Sequence, residues 1–367
     1  MKDFDKLRVA IVHDWFVGGG AERVVLQLHR MFPEAPIYTS YCSNEWRTKL
    51  DGKVVTGWLQ HFRALRKFLV IGRIWWFRSL DFSGYDLVIS SSGNGEAKGI
   101  RVPPGTVHVC YCHSPTHFYW RHYDQYMARP GFGIFDPLAR LGLRLLVKPL
   151  RRWDKRAAQE PDYFIANSTH IKQDIKKYYG RDSIVIHPPV DVQRFTAADT
   201  GQRQGFVTVG RQATYKRTDI IVAACTQLNA ELSVIGQGPD HQRLLDIAGP
   251  TITFETNATD NQIPGYLAGA KAFLFAAFED FGIAPIEAMA AGTPVIAYQA
   301  GGALDYVNDK TGLFFKEQSV DSLIEALTTF PTKTFSHKDI AAKAQEFDTA
   351  VFRSKMRAFL HSVTKDL

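Results

Sequence analysis

Residues 271–298 read KAFLFAAFEDFGIAPIEAMAAGTPVIAY, and this stretch decides the fold. The apolar run at 271–277 has the length and composition of a buried strand. A turn containing Gly282 follows, and Pro285 suits the first position of a helix built from small residues. A second apolar run at 293–298 closes a strand–helix–strand unit. Units of this kind build parallel sheets with helices on both faces.

The same alternation of apolar runs and helical periodicity continues on both sides of this unit. Helical spacing is clearest in AERVVLQLHRMF at 21–32 and in RTDIIVAACTQL at 217–228. Further strands are predicted at 7–15, 86–92, 106–112, 162–168, 183–189, 205–210, 231–236 and 251–256. The stretch 336–363 has helical character. The chain is therefore predicted to be an α/β protein throughout.

A break in the pattern at 187–205 divides the chain. HPPVDVQRFTAADTGQRQG has two prolines and few apolar residues, as linkers do. We expect doubly wound, Rossmann-like domains at 1–190 and 191–345, and a C-terminal helix at 346–367 that packs back on the first domain. Because ligands of such sheets bind at the carboxyl ends of the strands, two facing domains would enclose a cleft.

Charge and composition narrow the class of protein. The 367 residues carry a formal net charge of +7. Residues 1–190 hold 28 Lys and Arg against 17 Asp and Glu, which favours an anionic partner there. The sequence has no run of about 18 apolar residues, the length needed to span a membrane. The start MKDFDKLRVAIVHDW is not typical of a signal peptide. Four cysteines do not form a disulfide framework, so we expect a cytoplasmic protein.

Two acids flank the turn at 281–285. Glu279 follows the strand and is expected to point toward a ligand at the strand end. Glu287 is predicted in the first turn of the helix, where the helix dipole alone also favours an acid, so that two explanations of it stay open. The free N–H groups at this helix start attract anions, and Gly282 lets the backbone approach a ligand closely.

A second cluster, VGRQATYKR at 209–217, follows the strand that ends at Gly210. Arg211 and Lys216 lie on the loop before the next helix. The planar fork of an arginine and the point charge of a lysine at a strand's carboxyl end suit a diphosphate. A basic loop that simply faces water is the alternative.

Two strand ends of the first domain complete the candidate site. Gly18–Gly20 joins the first strand to the first helix at a phosphate-loop position. Arg23 stands where the third glycine of a dinucleotide fingerprint would be, which argues against a dehydrogenase. His113 ends the strand at 106–112 and is either structural or part of the site. With Cys110 and Cys112 it offers a zinc site, which is disfavoured because no second pair at zinc spacing follows.

Two basic segments lie apart from this cluster. The first, RALRKFLVIGRIWWFR at 63–78, has five basic residues and no acid, interleaved with aromatic side chains. In the second, at 138–156, basic residues three or four apart form one stripe beside a leucine-rich face. These are Arg140, Arg144, Lys148, Arg151 and Lys155. Such surfaces bind anionic membranes, and a helix packed on its own domain is the alternative. Nucleic acid is disfavoured, because no motif that reads bases accompanies the charge.

Taken together, these residues resemble the retaining family 4 glycosyltransferases, which have the two-domain GT-B architecture. The most specific motif is E-x7-E, here EDFGIAPIE from Glu279 to Glu287. GRQATYK matches the family's R-x4-K pair, GGGAER its glycine loop and CHSP its strand-end histidine. The resemblance covers nearly the whole chain. Through strings such as PDYFIANSTHI and HPPVD, it is greatest to mannosyltransferases of bacterial O-antigen and exopolysaccharide assembly.

The resemblance implies a role for each candidate residue. Glu279 would hold hydroxyls of the donor sugar, and Glu287 would accept from the nucleotide ribose. Arg211 and Lys216 would stabilise the diphosphate leaving group, and His113 would lie near the reacting centre. Backbone contacts to the donor are implied for Gly19, Gly20, Gly210, Phe281, Gly282, Ile283 and Ala284.

The implied reaction moves a hexosyl group, with mannose from GDP-mannose favoured, to a glycan or polyprenyl-linked acceptor of cell-surface polysaccharide synthesis, with retention. Arg211 and Lys216 would act in place of a metal, so no metal or other cofactor is expected. The acceptor would bind the first domain, at the inner face of the plasma membrane. One departure concerns the family's GG-x-x-E motif, which ends here in Asp305 and leaves the role of that position open.

Two other functions stay open at this point. A GT-B sugar-nucleotide epimerase would release free isomerised sugar nucleotide without needing an acceptor. A non-enzymatic protein that binds nucleotides or nucleic acid would bind without turning over a donor.

Overall fold

The computed structural model describes residues 4–62, 69–128, 133–196 and 201–365. The chain divides into two compact units, Met1–Pro188 together with Arg353–Leu367, and Pro189–Phe352. Each unit is a parallel sheet covered by helices, as the alternating sequence pattern predicts.

The strands of the described residues are short and mostly apolar. In the first unit they are β1 Val9–His13, β2 Ile37–Thr39, β3 Val54–Thr56, β4 Leu87–Ser92, β5 Val107–Cys112, β6 Tyr163–Ala166 and β7 Ile184–Val185. In the second unit they are β8 Phe206–Val209, β9 Leu232–Ile235, β10 Ile252–Glu255, β11 Ala272–Phe275, β12 Val295–Tyr298 and β13 Gly312–Phe315.

Helices connect most of these strands. Those before the second sheet are α1 Gly20–Met31, α2 Asn44–Lys49, α3 Val70–Arg78, α4 Tyr123–Ala128, α5 Asp136–Ala157 and α6 Thr169–Asp174. Those that follow are α7 Thr218–Gln227, α8 His241–Ile247, α9 Ile263–Gly269, α10 Ile283–Ala290, α11 Val320–Thr329, α12 His337–Ala344 and α13 Thr349–Val363.

Both sheets have the same strand order, except that the first has one more strand, β7. The first runs β3-β2-β1-β4-β5-β6-β7 and the second β10-β9-β8-β11-β12-β13. The order reverses between β1 and β4 in the first sheet, and between β8 and β11 in the second. Every residue of β1, β4 and β11 is buried, because helices cover both faces of each sheet. Ligands of doubly wound sheets bind where the order reverses, outside the carboxyl ends of the strands.

The predicted α/β class and the strand–helix–strand unit at 271–298 are confirmed. Three strands, β2, β3 and β13, were not predicted. β2 and β3 have three residues each, too few to show a period. β13 begins at Gly312, where a Cβ would collide with the backbone of Val295. That glycine therefore allows close strand approach and does not mark a turn.

Helix α10 begins earlier than predicted. It starts at Ile283, so Pro285 is its third residue and Glu287 lies in its second turn. Proline is tolerated there because the first four N–H groups of a helix have no intrahelical acceptor. The prediction of Glu287 in the first turn is wrong, and so is the explanation of that acid by the helix dipole alone. The helical stretch at 336–363 is also interrupted between α12 and α13.

In the basic segment 63–78, the described residues do not form one exposed basic surface. Residues 63–68 lie outside the described residues. In α3, Arg73 is buried and pairs with Glu96, Nη2 to Oε1, at 2.7 Å. Arg73 therefore cannot present its charge to a membrane, contrary to the prediction. Trp75 is exposed on the same helix.

The first half of α5 exposes its leucine face. Leu138 and Leu145 are 67% exposed, and Leu141 is 54% exposed. The leucine face of this half is therefore not packed on the domain, whereas Arg140 on the same half donates to Met127 O in α4. The second half is anchored through Asp154, whose buried carboxylate accepts from Lys98 Nζ and from Trp120 Nε1. Among the described residues, no helix is long and apolar enough to cross a membrane.

Candidate active site

The point of reversal in the second sheet brings two loops together. β8 and β11 are neighbours, paired at Phe206↔Ala272 and Val207↔Phe273. The loop after β8 begins at Gly210, and the loop after β11 leads to Glu279. A pocket at this edge is lined by residues of both strand ends, among them Gly210, Arg211, Lys216, Ala276 and Ala277. Both predicted clusters of the second domain therefore lie at one strand edge.

Lys216 and Glu279 form an ion pair across these two loops. Their side chains are 25% and 20% exposed, so the pair is partly shielded from water. Burial alone lowers the pKa of Lys216, but the Glu279 carboxylate outweighs it, and the net pKa is raised. Lys216 is therefore a fixed cation at the strand edge.

Arg211 is exposed on the loop before this pair. It makes no ion pair with any residue in the described parts of the chain. The backbone around it is held by its neighbour Gln212, whose Nε2 donates to Gly236 O at 2.7 Å. His241 Nδ1 lies 2.7 Å from Gln212 Oε1 and fixes the other end of that amide. The loop is ordered by Gln212, which leaves the Arg211 guanidinium available to a ligand.

The N-terminus of α10 lies in the loop that carries Glu279. Its N-cap is Gly282, with φ 87°, and no side chain of the described residues caps the helix. Tyr306 Oη donates to Phe281 O at 3.0 Å. Because N–H and C=O point in opposite directions in a trans peptide, the N–H of Gly282 points away from Tyr306. The amides of Ile283 and Ala284, the first two of α10, have no acceptor among the described residues and lie at the positive end of the helix dipole.

Gly301 and Gly302 shape this loop from the next strand end. Gly302 N donates to Glu279 O at 2.9 Å. A Cβ at Gly301 would collide with Glu279 O, and one at Gly302 with the backbone of Phe281. The two glycines therefore let the segment after β12 press against the Glu279 loop. Asp305, three residues later, is half-buried and has polar interactions of its own.

The remaining predicted residues of this unit surround the same helix start. Glu287 is 7% exposed and lies on the second turn of α10. The Phe281 side chain is buried in the core, so only its backbone can contact a ligand. Ile283 and Ala284 are partly buried against that core. Their amides are the first two of the helix.

In the first unit, His113 follows β5 and joins a row of polar groups across three strands. Its Nε2 lies 2.8 Å from Ser91 Oγ, and its carbonyl accepts from Asn167 Nδ2 at 2.8 Å. On the other side of Ser91, His13 Nδ1 lies 3.0 Å from the Ser91 carbonyl oxygen. Burial, and then the nearby His13 ring, lower the pKa of His113 to about 3. The His113 ring is therefore neutral near pH 7.

The glycine loop joins β1 to α1 as predicted. Glu22 Oε1 accepts from Val17 N at 3.2 Å and from Gly18 N at 3.0 Å. Gly19 is the N-cap of α1 and Gly20 its first residue, and among the described residues no side chain caps this helix. The amides at Gly19 and Gly20 therefore remain donors at a helix N-terminus.

Asp14, at the end of β1, holds the loop after β4. Its carboxylate accepts three backbone N–H groups, those of Gly93, Asn94 and Ala97, each at 2.8 Å. Sequence reasoning missed Asp14, as it missed His13, Ser91 and Tyr306. The partners of Asp14 lie about 80 positions away, and only the strand order brings them together.

The structure thus gathers the predicted site residues into two groups. In the second unit, Gly210, Arg211 and Lys216 meet Glu279 and the start of α10. In the first unit, His113 lies after β5, and Gly19 and Gly20 lie after β1. Cys110 and Cys112 are buried strand residues of β5. In the described ranges, no group of three or more His, Cys, Asp or Glu side chains could hold a metal.

Comparison with known families matches almost all of the chain. Residues 18–194 match the family described as Glycosyltransferase Family 4. Residues 191–347 match Glycosyl transferases group 1. The chain therefore carries a Glycosyltransferase Family 4 domain followed by a Glycosyl transferases group 1 domain.

Curated relatives are similar over one part of their length. A D-inositol 3-phosphate glycosyltransferase of Rhodococcus jostii is 27% identical over 224 residues, which are 52% of this chain and 49% of that protein. A GDP-mannose-dependent alpha-(1-6)-phosphatidylinositol monomannoside mannosyltransferase of Mycobacterium tuberculosis is 29% identical over 172 residues, 42% of this chain and 45% of that protein. The chain thus spans about half the length of the curated relatives that it matches.

Solved structures share the whole fold at low identity. HepE of Anabaena in complex with UDP has a TM-score of 0.70 and 18% identity, covering 97% of this chain and 100% of its own. Sucrose-phosphate synthase of Thermosynechococcus elongatus has a TM-score of 0.68 and 16% identity, covering 98% and 99%. The lipopolysaccharide outer core galactosyltransferase WaaB has a TM-score of 0.67 and 16% identity, with the same coverage. These similarities establish the GT-B fold.

Proposed function

We propose that the protein is a glycosyltransferase that moves a hexosyl group from a nucleotide diphosphate sugar to an acceptor. One observation carries this proposal. Arg211, Lys216 and the uncapped N-terminus of α10 place three sources of positive potential at one strand edge. That arrangement suits a diphosphate. The two matched families, both of glycosyltransferases, support the same activity.

Each candidate residue has a role in the proposed reaction, through its side chain or through its backbone amide. Glu279 binds hydroxyls of the donor sugar, and Glu287 binds the ribose. The amides from Phe281 to Ala284 bind sugar hydroxyls and phosphate. Lys216 and Arg211 stabilise the charge that develops on the leaving diphosphate. In the first unit, Gly19 and Gly20 donate to the phosphates, and His113 lies beside the sugar.

We propose that the transfer proceeds with retention, by substitution on one face of the sugar. The bond between the anomeric carbon and the phosphate oxygen breaks, and its electron pair stays on the diphosphate. The acceptor oxygen bonds to the same face and gives its proton to the departing phosphate. The charge on the diphosphate is met by Arg211 and Lys216, so the proposed reaction requires no metal ion.

We propose GDP-mannose as the donor, because the resemblance favours it and the mycobacterial relative is GDP-mannose-dependent. UDP-sugars are the second candidate, since HepE has been solved in complex with UDP and with UDP-glucose. The proposed acceptor is a glycan or a polyprenyl-linked glycan of a cell-surface polysaccharide.

Turnover of a panel of GDP-, UDP-, ADP- and dTDP-sugars tests the proposal. With simple alkyl glycosides as acceptors and EDTA present, we expect release of the nucleotide diphosphate from GDP-mannose, and a product with the donor's anomeric configuration by NMR. Glu279→Ala should lose most transfer while remaining folded, whereas Glu317→Ala, at an exposed site, should keep it. Isomerised sugar nucleotide formed without acceptor would identify an epimerase instead. Binding of a sugar nucleotide without any turnover would indicate a non-enzymatic nucleotide-binding protein.

We also propose that the enzyme lies on the inner face of the plasma membrane through α5. Leu138, Leu141 and Leu145 form an exposed apolar face. Arg144 is exposed on the same half of the helix, and the exposed Lys148 lies one turn further along. An apolar face bordered by cations binds anionic lipid by insertion and by charge together.

Flotation with anionic and with neutral vesicles tests this location. Wild type should float with anionic vesicles, and the double variant Leu141→Ser/Leu145→Ser should not. Leu304→Ser changes an exposed leucine of the second unit and is the matched control. Equal failure of wild type to bind both kinds of vesicle would contradict the proposed location.

A further inference from the structure

The row His13, Ser91 and His113 fixes which nitrogen of His113 carries the proton. β1, β4 and β5 are neighbouring parallel strands, with His13 paired to Ser91 and Ser91 to Tyr111. His113 lies two residues after Tyr111, so its side chain is on the same face as the other two. The result is a continuous chain of polar contacts across three strand ends.

The proton on His13 is placed by a backbone carbonyl. His13 Nδ1 lies 3.0 Å from Ser91 O and 3.1 Å from Ser91 Oγ. A carbonyl oxygen only accepts hydrogen bonds, so His13 Nδ1 carries a hydrogen and donates it. This holds whether or not the His13 ring is charged, because the charged ring also has a hydrogen on Nδ1.

The hydrogen of the Ser91 hydroxyl then has one possible acceptor. Ser91 is fully buried, and a buried hydroxyl normally donates its hydrogen. In the described parts of the chain, its other polar neighbour is His113 Nε2 at 2.8 Å. Ser91 Oγ therefore donates to His113 Nε2. Since burial keeps the pKa of His113 low, its ring is neutral and the hydrogen is on Nδ1.

We propose that His13 and Ser91 are positioning residues that lock His113 in its Nδ1–H form, so that His113 meets the donor sugar as a hydrogen-bond donor and not as a base. The inference deepens the proposed function and rests on it for the identity of the ligand. His113 is partly exposed, and Nδ1 has no partner in the residues that the structure describes. The group recognised there is an oxygen with a free lone pair, such as a sugar hydroxyl.

The consequence for specificity is direct. A donor sugar whose hydroxyl at this position is replaced by hydrogen would leave the Nδ1–H unpaired. Removal of a partner from a buried polar group weakens binding, so such a donor should be used more slowly. His113 in this form cannot take the proton of the acceptor hydroxyl at Nε2, because the Ser91 hydroxyl already occupies that nitrogen.

Nitrogen NMR of the full-length protein labelled at histidine tests the lock without any sugar nucleotide. The His113 signals are assigned by their loss in His113→Gln. We expect the Nδ1–H pattern in wild type, a shift toward Nε2–H in Ser91→Ala, and restoration in Ser91→Thr, which keeps the hydroxyl. An Nε2–H pattern in wild type, or an unchanged pattern in Ser91→Ala, would overturn the inference.

Kinetics provide the second readout. Ser91→Ala should lower kcat/KM for the donor by about 10-fold, as losses of groups that orient an active residue commonly do, and Ser91→Thr should restore most of it. Unchanged kinetics in Ser91→Ala would refute a positioning role. If wild type turns over no donor, the proposed function fails, while the NMR result still decides the form of His113.

Discussion

The two sheets have the same strand order, but the polar groups at their strand ends are used differently. In the first unit, the carboxylates of Asp14 and Glu22 accept five backbone N–H groups of the neighbouring loops. In the second unit, no described side chain caps α10, and Arg211 makes no ion pair with the described residues. Topology alone therefore does not decide which strand edge binds an anion.

The difference separates structural from functional polar groups. Backbone donors that are satisfied within the protein hold loops in place, as the amides around Asp14 do. Donors and cations left without a protein partner at a strand edge are available to a ligand. By this criterion we propose that the second unit holds the diphosphate, and that the first contributes the amides of Gly19 and Gly20.

The largest expected effect is on catalysis, from Lys216→Ala in the second unit. Loss of the cation that faces the leaving group should lower kcat by about 100- to 1000-fold, the usual effect of removing one such stabilising group. Folding should be retained, because Glu279 is 20% exposed and water can solvate it. Circular dichroism checks the fold. Lys49→Ala, which breaks a surface pair with Glu45, is the control and should keep full activity.

The next effect is on stability, from Asp14→Ala in the first unit. Three backbone N–H groups lose a charged acceptor, so the free energy of unfolding should fall by about 3 kcal/mol. Urea denaturation measures it. Donor affinity in the surviving folded protein should change little. A large loss of affinity with unchanged stability would reverse the comparison between the two strand edges.

A smaller effect, dependent on pH, is expected from Glu96→Gln. Glu96 lies in the loop that Asp14 holds, and burial raises its pKa to about 7 against the opposing influence of Arg73. Between about pH 4.5, the ordinary pKa of glutamate, and pH 7, the folded state keeps a proton that the unfolded state loses. The contribution of Glu96 to the free energy of unfolding should therefore fall by about 1.4 kcal/mol for each unit by which the pH rises over that window.

The difference in unfolding free energy between wild type and Glu96→Gln isolates this contribution from that of the buried histidines. It should change across the window and level off above pH 7. A difference that does not vary with pH would show that Glu96 is charged in the folded protein throughout.

The smallest expected effect is from Arg211→Ala. An exposed guanidinium that contacts phosphate should contribute about 10-fold in donor affinity, or about 1.4 kcal/mol. Calorimetric titration with GDP measures it. Thermal stability without ligand should not change, since Arg211 has no ion pair with the described residues. Arg243→Ala is the matched control, because Arg243 pairs with Asp240 and should leave affinity unchanged.

Much of the fold and of the candidate site could be predicted from the sequence, because the ends of apolar strands are visible in it. Arg211, Lys216 and Glu279 each follow an apolar run, and parallel strands bring such positions to one edge. The partners of Asp14 could not be predicted, because about 80 residues separate them. The start of α10 was misplaced because Gly282 acts as an N-cap at positive φ. The exposure of Leu141 could not be predicted either, because a periodic pattern shows that a helix has an apolar face but not whether another element covers it.

Thermal melting with nucleotides tests most directly the central claim that the strand edge of the second unit binds the diphosphate. A ligand that binds only the folded state raises the melting temperature. In the presence of EDTA, we expect GDP and GDP-mannose to raise the melting temperature of the wild type. The melting temperatures of Lys216→Ala and Arg211→Ala should rise much less. The same rise in wild type and in both variants would contradict the account, because the diphosphate would then bind elsewhere.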